Sequence, residues 1–373
     1  MSAKQAVDQT NNTAAAPANK PVTDMSRHPD ISAMIAAAGS GRRQSMHGFD
    51  KDYVDIVDYI VRCTHKIWEA HGVGLLYTHY SHNCVVHTPY GITYGREEMI
   101  TNTINYLTAF PDRKAFADDV IWTGNDVDGF HTSHRVTSIG HHTGYGSYAP
   151  PTGRRIFRRG IANCLVKENL IVEEWLVQDN LTVVRQMGLN ELEVVDALIE
   201  QDRRNGVQPV YNYGHGHPER TNGQGEPAPV PARGDAFDIE AFVRGSQHEI
   251  WNWRMFNKIA DYYVPNYECY TVPTRTIYGV GDFCAYVMAF IVAFPDAKFN
   301  IDHMYWLGDD QQGYRVATRW SLIGTHEGPS MYGKPTGKPV HIMGITHHHV
   351  QNGKFVREWM IYDQIALLKQ MRG

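Results

Sequence analysis

The residues of this sequence that could carry out acid–base chemistry fall at alternating positions of predicted β-strands. Glu174 is a candidate general base, and Arg158 could stabilise a developing oxyanion. His134 and His87 are candidate proton shuttles. Since alternate residues of a strand share a face, we expect these side chains to face one apolar cavity, where burial raises the pKa of a carboxyl group and a neighbouring cation lowers it. The pattern predicts a proton-transfer site that works near neutral pH.

A second set of residues is predicted to bind the substrate. Its members are aromatic, thiol or polar side chains near the predicted cavities: Tyr90, Tyr94, Trp122, Cys164, Tyr270, His348 and Glu358. Glu358 takes the place in the second half of the chain that Glu174 takes in the first. Thr318 and Ile342 stand there where the first half has the histidine and the arginine. A buried carboxyl group without a cation tends to stay protonated, so we expect the first half to carry the chemistry.

Simpler interpretations of the same residues stay open at this level. Glu174 and Arg158 could form a buried structural ion pair, and either candidate histidine could be a hydrogen-bonded core residue. Residues that are identical in both halves are better explained by scaffold contacts and helix capping: Arg135, Arg319, His142, His326, Asp179 and Asp363.

The histidine pattern does not predict a metal site. Residues 347–349 are consecutive histidines, so in a strand the middle ring points away from the other two. His79, His82 and His87 lie close in sequence but have no carboxylate at a fixed spacing. The glycines of 140–146 follow a predicted strand and do not open a helix, which argues against a phosphate-binding loop. We therefore expect neither a metal nor a cofactor.

The elements that must position these residues occur twice in the chain. The tripeptide Phe-Pro-Asp at 110–112 recurs at 294–296. One constant offset also relates Trp122 to Trp306, Arg135 to Arg319, Pro151-Thr152-Gly153 to Pro335-Thr336-Gly337, Glu174-Trp175 to Glu358-Trp359, and Gln186-Met187 to Gln370-Met371. A match of this length indicates a tandem duplication.

The repeat sets the predicted domain boundaries. Residues 1–46 are low in complexity and are predicted to be a flexible N-terminal arm. The first copy is expected at 47–190 and the second at 237–373. Residues 191–236 between them are predicted to form a helix and then a Gly/Pro-rich linker.

Each copy is predicted to begin with helices and to continue with strands. Helical spacing of apolar residues covers 50–70 and 96–108 in the first copy, and 238–262 and 280–293 in the second. Alternating patterns separated by turn residues follow from about residue 115. This order predicts an α+β fold in which helices pack on one face of a curved antiparallel sheet.

Composition and charge exclude several classes of function. The chain has 35 Lys and Arg against 40 Asp and Glu, a net charge of −5, so neither nucleic acid nor a membrane surface is an expected partner. No apolar run is long enough to cross a membrane, and the first residues lack an apolar signal segment. The 5 cysteines form no Cys-x-x-Cys pair and favour a reducing compartment, so a cytoplasmic location is expected.

The shared motifs resemble those of the SnoaL-like, polyketide cyclase-like branch of the nuclear-transport-factor-2-like superfamily. The resemblance rests on Phe-Pro-Asp, on Gly-x-His-x-Gly at 140–144 and 324–328, on the Pro-Thr-Gly turn, and on Glu-Trp-x-x-x-Asp at 174–179 and 358–363. It implies two tandem cone-shaped domains, each a curved antiparallel sheet wrapped around N-terminal helices and enclosing an apolar pocket. Such domains usually pair sheet to sheet, which implies an intramolecular pseudo-dimer and allows a homo-oligomer.

The resemblance does not fix the reaction. In the cyclases of the family, the acid that exchanges the substrate proton directly follows this Trp, and here Leu176 and Met360 stand at that position. The polar strand residues that assist it correspond to Gly160, Ala162, Gly344 and Thr346. This departure argues against the ring closure by which the family is known.

We therefore predict a cofactor-independent acid–base enzyme acting on a hydrophobic aromatic molecule with oxygen substituents. A lyase, working by elimination or by retro-aldol cleavage with deformylation, is the first choice. The superfamily contains cofactor-free lyases that deformylate lignin-derived diaryl compounds, and the chain is compatible with that role. The alternatives are an isomerase, dehydratase or cyclase of the same fold and a non-catalytic module that binds a hydrophobic metabolite. Loss of the proton-exchanging acid favours the binding module.

Overall fold

The computed structural model describes residues 22–26, 31–207 and 237–373, which form two α+β domains of the same topology in tandem. Domain 1 consists of α1 (Ile31–Ala36), α2 (Ile56–Trp68), α3 (Leu76–His79), β1 (Tyr80–Thr88), β2 (Gly91–Tyr94), α4 (Arg96–Ala109), β3 (Lys114–Asn125), β4 (Gly129–His141), β5 (Arg155–Lys167), β6 (Leu170–Gln178) and α5 (Asn180–Gln186). It is followed by α6 (Glu191–Asn205).

Domain 2 repeats this order. It consists of α7 (Ile239–Gln247), α8 (Ile259–Tyr262), β7 (Tyr263–Thr271), β8 (Arg275–Tyr278), α9 (Gly279–Ala293), β9 (Lys298–Asp309), β10 (Gly313–Thr325), β11 (Pro339–Gln351), β12 (Lys354–Tyr362) and α10 (Gln364–Arg372). The predicted helix over 238–262 is interrupted, because α7 passes into a π-helical turn and Arg254 then adopts a positive φ of 59° that ends the helical path. The Gly/Pro-rich part of the predicted linker, 208–236, lies outside the described residues.

Capping and apolar spacing explain why the helices form where they do. Asp55 caps α2 by accepting a hydrogen bond from the backbone N–H of Asp58, and the apolar side of α2 packs on β3 and β4. Asp179 caps α5 and Asp363 caps α10, as the sequence predicts. These helices fix the ends of β6 and β12, the strands that carry the two candidate carboxyl groups.

Each domain contains one curved six-stranded sheet, in the order β2-β1-β6-β5-β4-β3 in domain 1 and β8-β7-β12-β11-β10-β9 in domain 2. The prediction of a purely antiparallel sheet is wrong at one place in each domain, because β1 pairs with β6, and β7 with β12, in parallel. The physical reason is the long connection: a helix and four strands separate β1 from β6, so the chain can return in the same direction.

The two sheets pack on each other through the faces that point away from the helices. Arg135 lies 3.9 Å from the centre of the Trp359 ring, and Arg319 lies 4.0 Å from the centre of the Trp175 ring. This reciprocal pair of contacts gives the interface an approximate twofold symmetry. The predicted sheet-to-sheet pseudo-dimer is therefore present within one chain.

Part of the predicted N-terminal arm is packed rather than free. Within the described residues of that segment, Met25, Met34 and Met46 are buried in the core of domain 1, and the Thr23 N–H donates to Asp55 at 2.9 Å. The three methionines supply the apolar area that holds this otherwise polar segment in place.

Helix α6 follows domain 1 but packs on α10 of domain 2, with Arg372 paired to Asp196 at 2.7 Å. It therefore ties the end of domain 1 to the last helix of the chain. None of the helices within the described ranges is long and apolar enough to cross a membrane.

Candidate active site

A cavity of about 260 Å³ opens in domain 1 between α2, α4 and the inner face of the sheet. Its walls are mainly apolar and include Ile60, Trp68, Met99, Val136, Ala162 and Leu176. Leu176, which directly follows the family's Trp, lines this cavity, so the position of the missing cyclase acid does face it. The cavity can bury a hydrophobic molecule, and a few polar groups in its wall can act on it.

Glu174 lies two residues before Leu176 on β6 and points into the same cavity. Its side chain is 4% exposed, and its Oε2 accepts a hydrogen bond of 2.8 Å from the hydroxyl of Tyr80. Burial raises the pKa of Glu174 to about 7, although the hydrogen bond from Tyr80 acts in the opposite direction. Because this pKa is near neutral, the carboxyl group can both take up and release a proton at neutral pH.

His134 of β4 lines the cavity beside Thr64 of α2. Burial, together with the charge of Arg113, lowers the pKa of His134 to about 3, so the ring is neutral at pH 7. Thr64 donates its hydroxyl hydrogen to the Ile60 carbonyl, which assigns the proton to Nδ1 of His134, 3.4 Å from the Thr64 oxygen. Nε2 is buried without a hydrogen-bond partner among the described residues, so it can accept one from a ligand hydroxyl.

Arg158 also lines the cavity, but it is far from Glu174. Glu174 pairs with Cys164 in the β5–β6 register, and Arg158 lies six residues further along β5, about 20 Å in an extended strand. The expectation that a neighbouring arginine adjusts the pKa of Glu174 is wrong, as is the alternative of a Glu174–Arg158 ion pair. The hydroxyl of Tyr80 takes that place, because β1 lies beside β6.

Arg113 is a cavity residue that the sequence analysis missed. It is 7% exposed, and it donates to the Trp68 carbonyl at 3.2 Å and to the Ser138 hydroxyl at 3.0 Å. It directly follows the repeated Phe-Pro-Asp, and Ala297 stands at the matched position of the second copy. A comparison of the two copies for charged residues next to shared motifs would have found it.

The prediction that His87 faces the cavity is wrong. In the parallel register of β1 and β6, His87 lies beside Trp175, on the face opposite to Glu174. There its ring stacks on Trp175 at 5.0 Å between centres, and its Nε2 lies 2.8 Å from Glu173. The alternation of β1 has two possible phases, and only its pairing with β6 selects the one that points Val86 inward.

The predicted aromatic binding residues of domain 1 lie outside the cavity wall, whereas Cys164 belongs to it. Tyr94 is 66% exposed on β2. Tyr90 packs towards domain 2, where the ammonium of Lys369 lies 5.8 Å from the centre of its ring. Trp122 packs in the core against Phe130, with 6.2 Å between ring centres. These residues were predicted to bind the substrate because they are aromatic, but the pairing of the strands decides which face of the sheet a side chain occupies.

The matching region of domain 2 is filled by large side chains. Cavity residues of domain 1 are replaced by bulky apolar or aromatic ones: Asn102 by Tyr286, Tyr106 by Phe290, Val136 by Trp320, Ser138 by Leu322, Arg158 by Ile342 and Gln178 by Tyr362. Trp320 stacks on Phe299 with 5.1 Å between ring centres, and its indole N–H donates to Thr346 at 2.9 Å. Among the described residues, large buried side chains of domain 2 therefore occupy the positions that line the cavity in domain 1.

The candidate residues of domain 2 form a buried network inside that core. His348 joins Thr318, at 2.8 Å from Nε2, to Glu358, at 2.5 Å from Nδ1. Tyr267 donates to the other carboxyl oxygen of Glu358. The expectation that Glu358 has no basic neighbour is wrong. Tyr270 instead points outward and stacks on Trp359 at 5.7 Å, so its predicted inward position is also wrong for the same reason as that of His87.

The consecutive histidines separate as the alternation predicts. His348 lies in the core of domain 2, whereas His347 lies at the domain interface, 2.7 Å from the Ser133 hydroxyl, and His349 lies 3.9 Å from Asp119 on the same face. Among the described residues, no group of three or more His, Cys, Asp or Glu side chains is arranged to hold a metal ion.

A family model described as SnoaL-like polyketide cyclase matches residues 59–187 and 241–371, one match in each domain. No curated protein sequence matches the chain. Similar solved structures include a candidate SnoaL-like polyketide cyclase from Jannaschia sp. CCS1, with 14% identity, 37% of this chain and 97% of that chain covered, and a TM-score of 0.32. IdmH, a candidate polyketide cyclase from Streptomyces antibioticus, is 20% identical, and the match covers 36% of this chain and 99% of IdmH with a TM-score of 0.32. AclR, a candidate hydroxylase from Streptomyces galilaeus, is 23% identical, and the match covers 35% of this chain and 79% of AclR with a TM-score of 0.31.

Proposed function

Because the chain belongs to the SnoaL-like polyketide cyclase family through both of its domains, we propose that the cavity of domain 1 performs cofactor-independent acid–base catalysis. The observation that carries the proposal is Glu174, a carboxyl group buried in the cavity with a pKa of about 7. The substrate is a small hydrophobic aromatic molecule with oxygen substituents, which suits the apolar walls and the isolated polar groups.

The reaction of first choice is a lyase reaction by retro-aldol cleavage. The Glu174 carboxylate takes the proton of a substrate hydroxyl, the adjacent C–C bond breaks, and its electron pair moves into the conjugated system. The carboxylic acid then returns the proton to carbon, and the carbonyl fragment leaves. One proton moves from oxygen to carbon, so one titratable group is enough and no co-reactant is consumed.

His134 has a supporting part in this proposal. Its neutral ring offers Nε2 as an acceptor, so it holds a substrate hydroxyl hydrogen without removing it. A pKa of about 3 makes the ring too weak a base to act as the proton shuttle that the sequence suggested. His134 is therefore proposed to position the substrate and Glu174 to carry the proton.

Elimination, isomerisation and cyclisation also need only one acid–base group and are the alternative reactions. Incubation with pooled aromatic diols and hydroxyketones, without cofactor, distinguishes them by mass spectrometry. Retro-aldol cleavage releases an aldehyde and elimination releases water, whereas isomerisation and cyclisation leave the mass unchanged and are separated by the NMR spectrum of the product. Stoichiometric binding of an unchanged ligand would identify a binding module instead.

Replacement of the base tests the assignment to domain 1. We expect Glu174→Gln to lower kcat by about a hundredfold or more, the effect of losing a general base. Glu358→Gln is the matched control, and it should retain turnover and lower the free energy of unfolding by about 1–3 kcal/mol, because it weakens a buried hydrogen-bond network. Wild-type turnover in Glu174→Gln, or selective loss in Glu358→Gln, would contradict the proposal.

A further inference from the structure

Two arginines meet at the end of the cavity that lies away from Glu174. Arg158 lies 4.4 Å from the centre of the Tyr106 ring, and Arg113 lies 5.6 Å from the same ring centre. Their guanidinium groups are close enough to repel each other: burial lowers the pKa of Arg113, and the charge of Arg158 lowers it further. Both side chains are buried, with exposures of 7% and 8%.

Neither arginine is in direct contact with a carboxylate, although the more distant charge of Glu69 raises the pKa of Arg113. Arg113 donates to a carbonyl and a hydroxyl, and Arg158 has one long contact of 3.5 Å to the amide oxygen of Asn180. Within the part of the chain that the structure describes, no Asp or Glu oxygen lies within 4.0 Å of either group, whereas the buried Arg62 pairs with Asp58 at 2.6 Å. A buried cation without a counter-ion is costly, so two together indicate that an anion belongs here.

The arginine pair is present where the cavity is present and absent where it is filled. The matched positions of domain 2 hold Ala297 and Ile342, inside the packed aromatic core. By contrast, Arg135 and Arg319, which hold the two sheets together, occur in both domains. The shared scaffold therefore does not need Arg113 and Arg158, which favours a role in binding a ligand.

We propose that Arg113 and Arg158 bind a carboxylate group of the ligand, whose aromatic ring extends from there toward His134 and Glu174. The orientation of the ring rests on the proposed function, whereas the carboxylate site does not. The two oxygens of a carboxylate match the paired donors of a guanidinium group, and the buried Nε of Arg113 has no hydrogen-bond partner among the described residues.

The dimensions of the cavity limit the ligand. His134 pairs with Ala162 on β5, four residues from Arg158, or about 13 Å along the strand. This leaves room for a ring between the arginine pair and the histidine. A cavity of about 150 Å³ holds one benzene, so about 260 Å³ accommodates a substituted single ring or two fused rings. The inferred ligand is an aromatic carboxylic acid of that size.

Binding of 2-naphthoate and of its neutral isostere 2-naphthamide, measured by calorimetry, tests the proposal without any turnover. We expect the wild-type protein to bind the carboxylate about ten- to hundredfold more tightly than the amide. The preference should disappear in Arg158→Met. Arg159→Met is the matched control, because Arg159 is the next residue of β5 and lies on the opposite face, 5.4 Å from the centre of the Tyr270 ring, so the preference should remain.

Equal affinity of the wild-type protein for the two probes would overturn the proposal, even if Arg158→Met failed to fold. A preference that survives in Arg158→Met would also overturn it. The outcome is separable from that of the proposed function. Carboxylate-selective binding without turnover of any aromatic acid would support the carboxylate site and contradict the proposed enzyme activity. Turnover of neutral substrates without this selectivity would support the enzyme activity and contradict the carboxylate site.

Discussion

At the scale of single residues, the proposed chemistry depends on the position of one carboxyl group along β6. Leu176 stands where the resemblance to the family's cyclases places their proton-exchanging acid, and Glu174 faces the same cavity one alternation earlier. Its environment is simple, because burial and one hydroxyl donor account for its pKa. The acid–base group that we propose therefore lies two residues before the family's position and on the same face of the strand.

The pH dependence of activity follows from this environment. A base with a pKa of about 7 must lose its proton before it acts, so kcat/KM should rise with pH through about 7. Tyr80→Phe removes the donor that stabilises the ionised carboxylate, and we expect it to shift this midpoint upward by about one pH unit. Steady-state kinetics between pH 5 and 9 measure the shift.

Domain 2 offers the control for this prediction. Tyr263 matches Tyr80 but accepts a hydrogen bond from Gln247 in the packed core, so Tyr263→Phe should leave the midpoint unchanged. An unchanged midpoint in Tyr80→Phe would mean that a group other than Glu174 limits the rate at low pH.

At the scale of elements, β4 and β5 decide whether a domain has a cavity. In domain 2, Trp320 lies over Gly344, where any Cβ would collide with its ring. Domain 1 has the same glycine, Gly160, opposite Val136, and the small pair leaves space open. The two domains therefore share a backbone and differ in the side chains that fill the inner face.

Placing the tryptophan of domain 2, Trp320, at the matched position of domain 1, Val136, should close the cavity. We expect Val136→Trp to fold, since Gly160 provides the room that Gly344 provides for Trp320, at a cost of about 1–3 kcal/mol from overpacking. Turnover and binding of 2-naphthoate should fall by at least about a hundredfold, because the ring occupies the ligand's place. Circular dichroism and calorimetry separate loss of fold from loss of binding.

The reverse exchange is the control. Trp320→Val should keep the turnover of domain 1 and lower the free energy of unfolding by about 3 kcal/mol, because it opens a cavity in a packed core. Full activity in Val136→Trp would place the reaction outside this cavity.

At the scale of the whole molecule, a charged cluster joins the domains. Asp119 of β3 is 0% exposed and pairs with Arg315 of β10 at 2.5 Å. Burial raises the pKa of Asp119, but His349, Arg315 and His347 around it outweigh this and hold the pKa well below its usual range. Arg315 also pairs with Asp24 at 3.0 Å, so the same cation binds the N-terminal segment.

Loss of this carboxylate should weaken the whole molecule. We expect Asp119→Ala to lower the free energy of unfolding by about 3 kcal/mol, because it removes a buried carboxylate that pairs with the partly buried Arg315 across the domain interface. Arg357→Ala, which breaks a half-exposed ion pair with Glu268, is the control and should change it by less than about 1 kcal/mol. Urea titrations measure both, and equal effects would show that the interface does not depend on Asp119.

The sequence by itself determined the duplication, the α+β class, the order of elements, the family and the capping roles of Asp179 and Asp363. These features are local or repeated, so spacing and turn residues are enough to reveal them. It also placed Glu174, His134, Arg158 and Cys164 on one face of the sheet, because β4, β5 and β6 alternate without a break between these positions.

Only the tertiary structure decided which groups meet. The phase of β1 depends on its parallel pairing with β6, and this turned His87 and Tyr270 outward and brought Tyr80 to Glu174. Residues that share a face can still lie far apart along a strand, so Arg158 meets Arg113 rather than Glu174. Pairing across a sheet joins residues distant in sequence, and no local pattern encodes that register, which is why the partners of the cavity residues appear only in the folded chain.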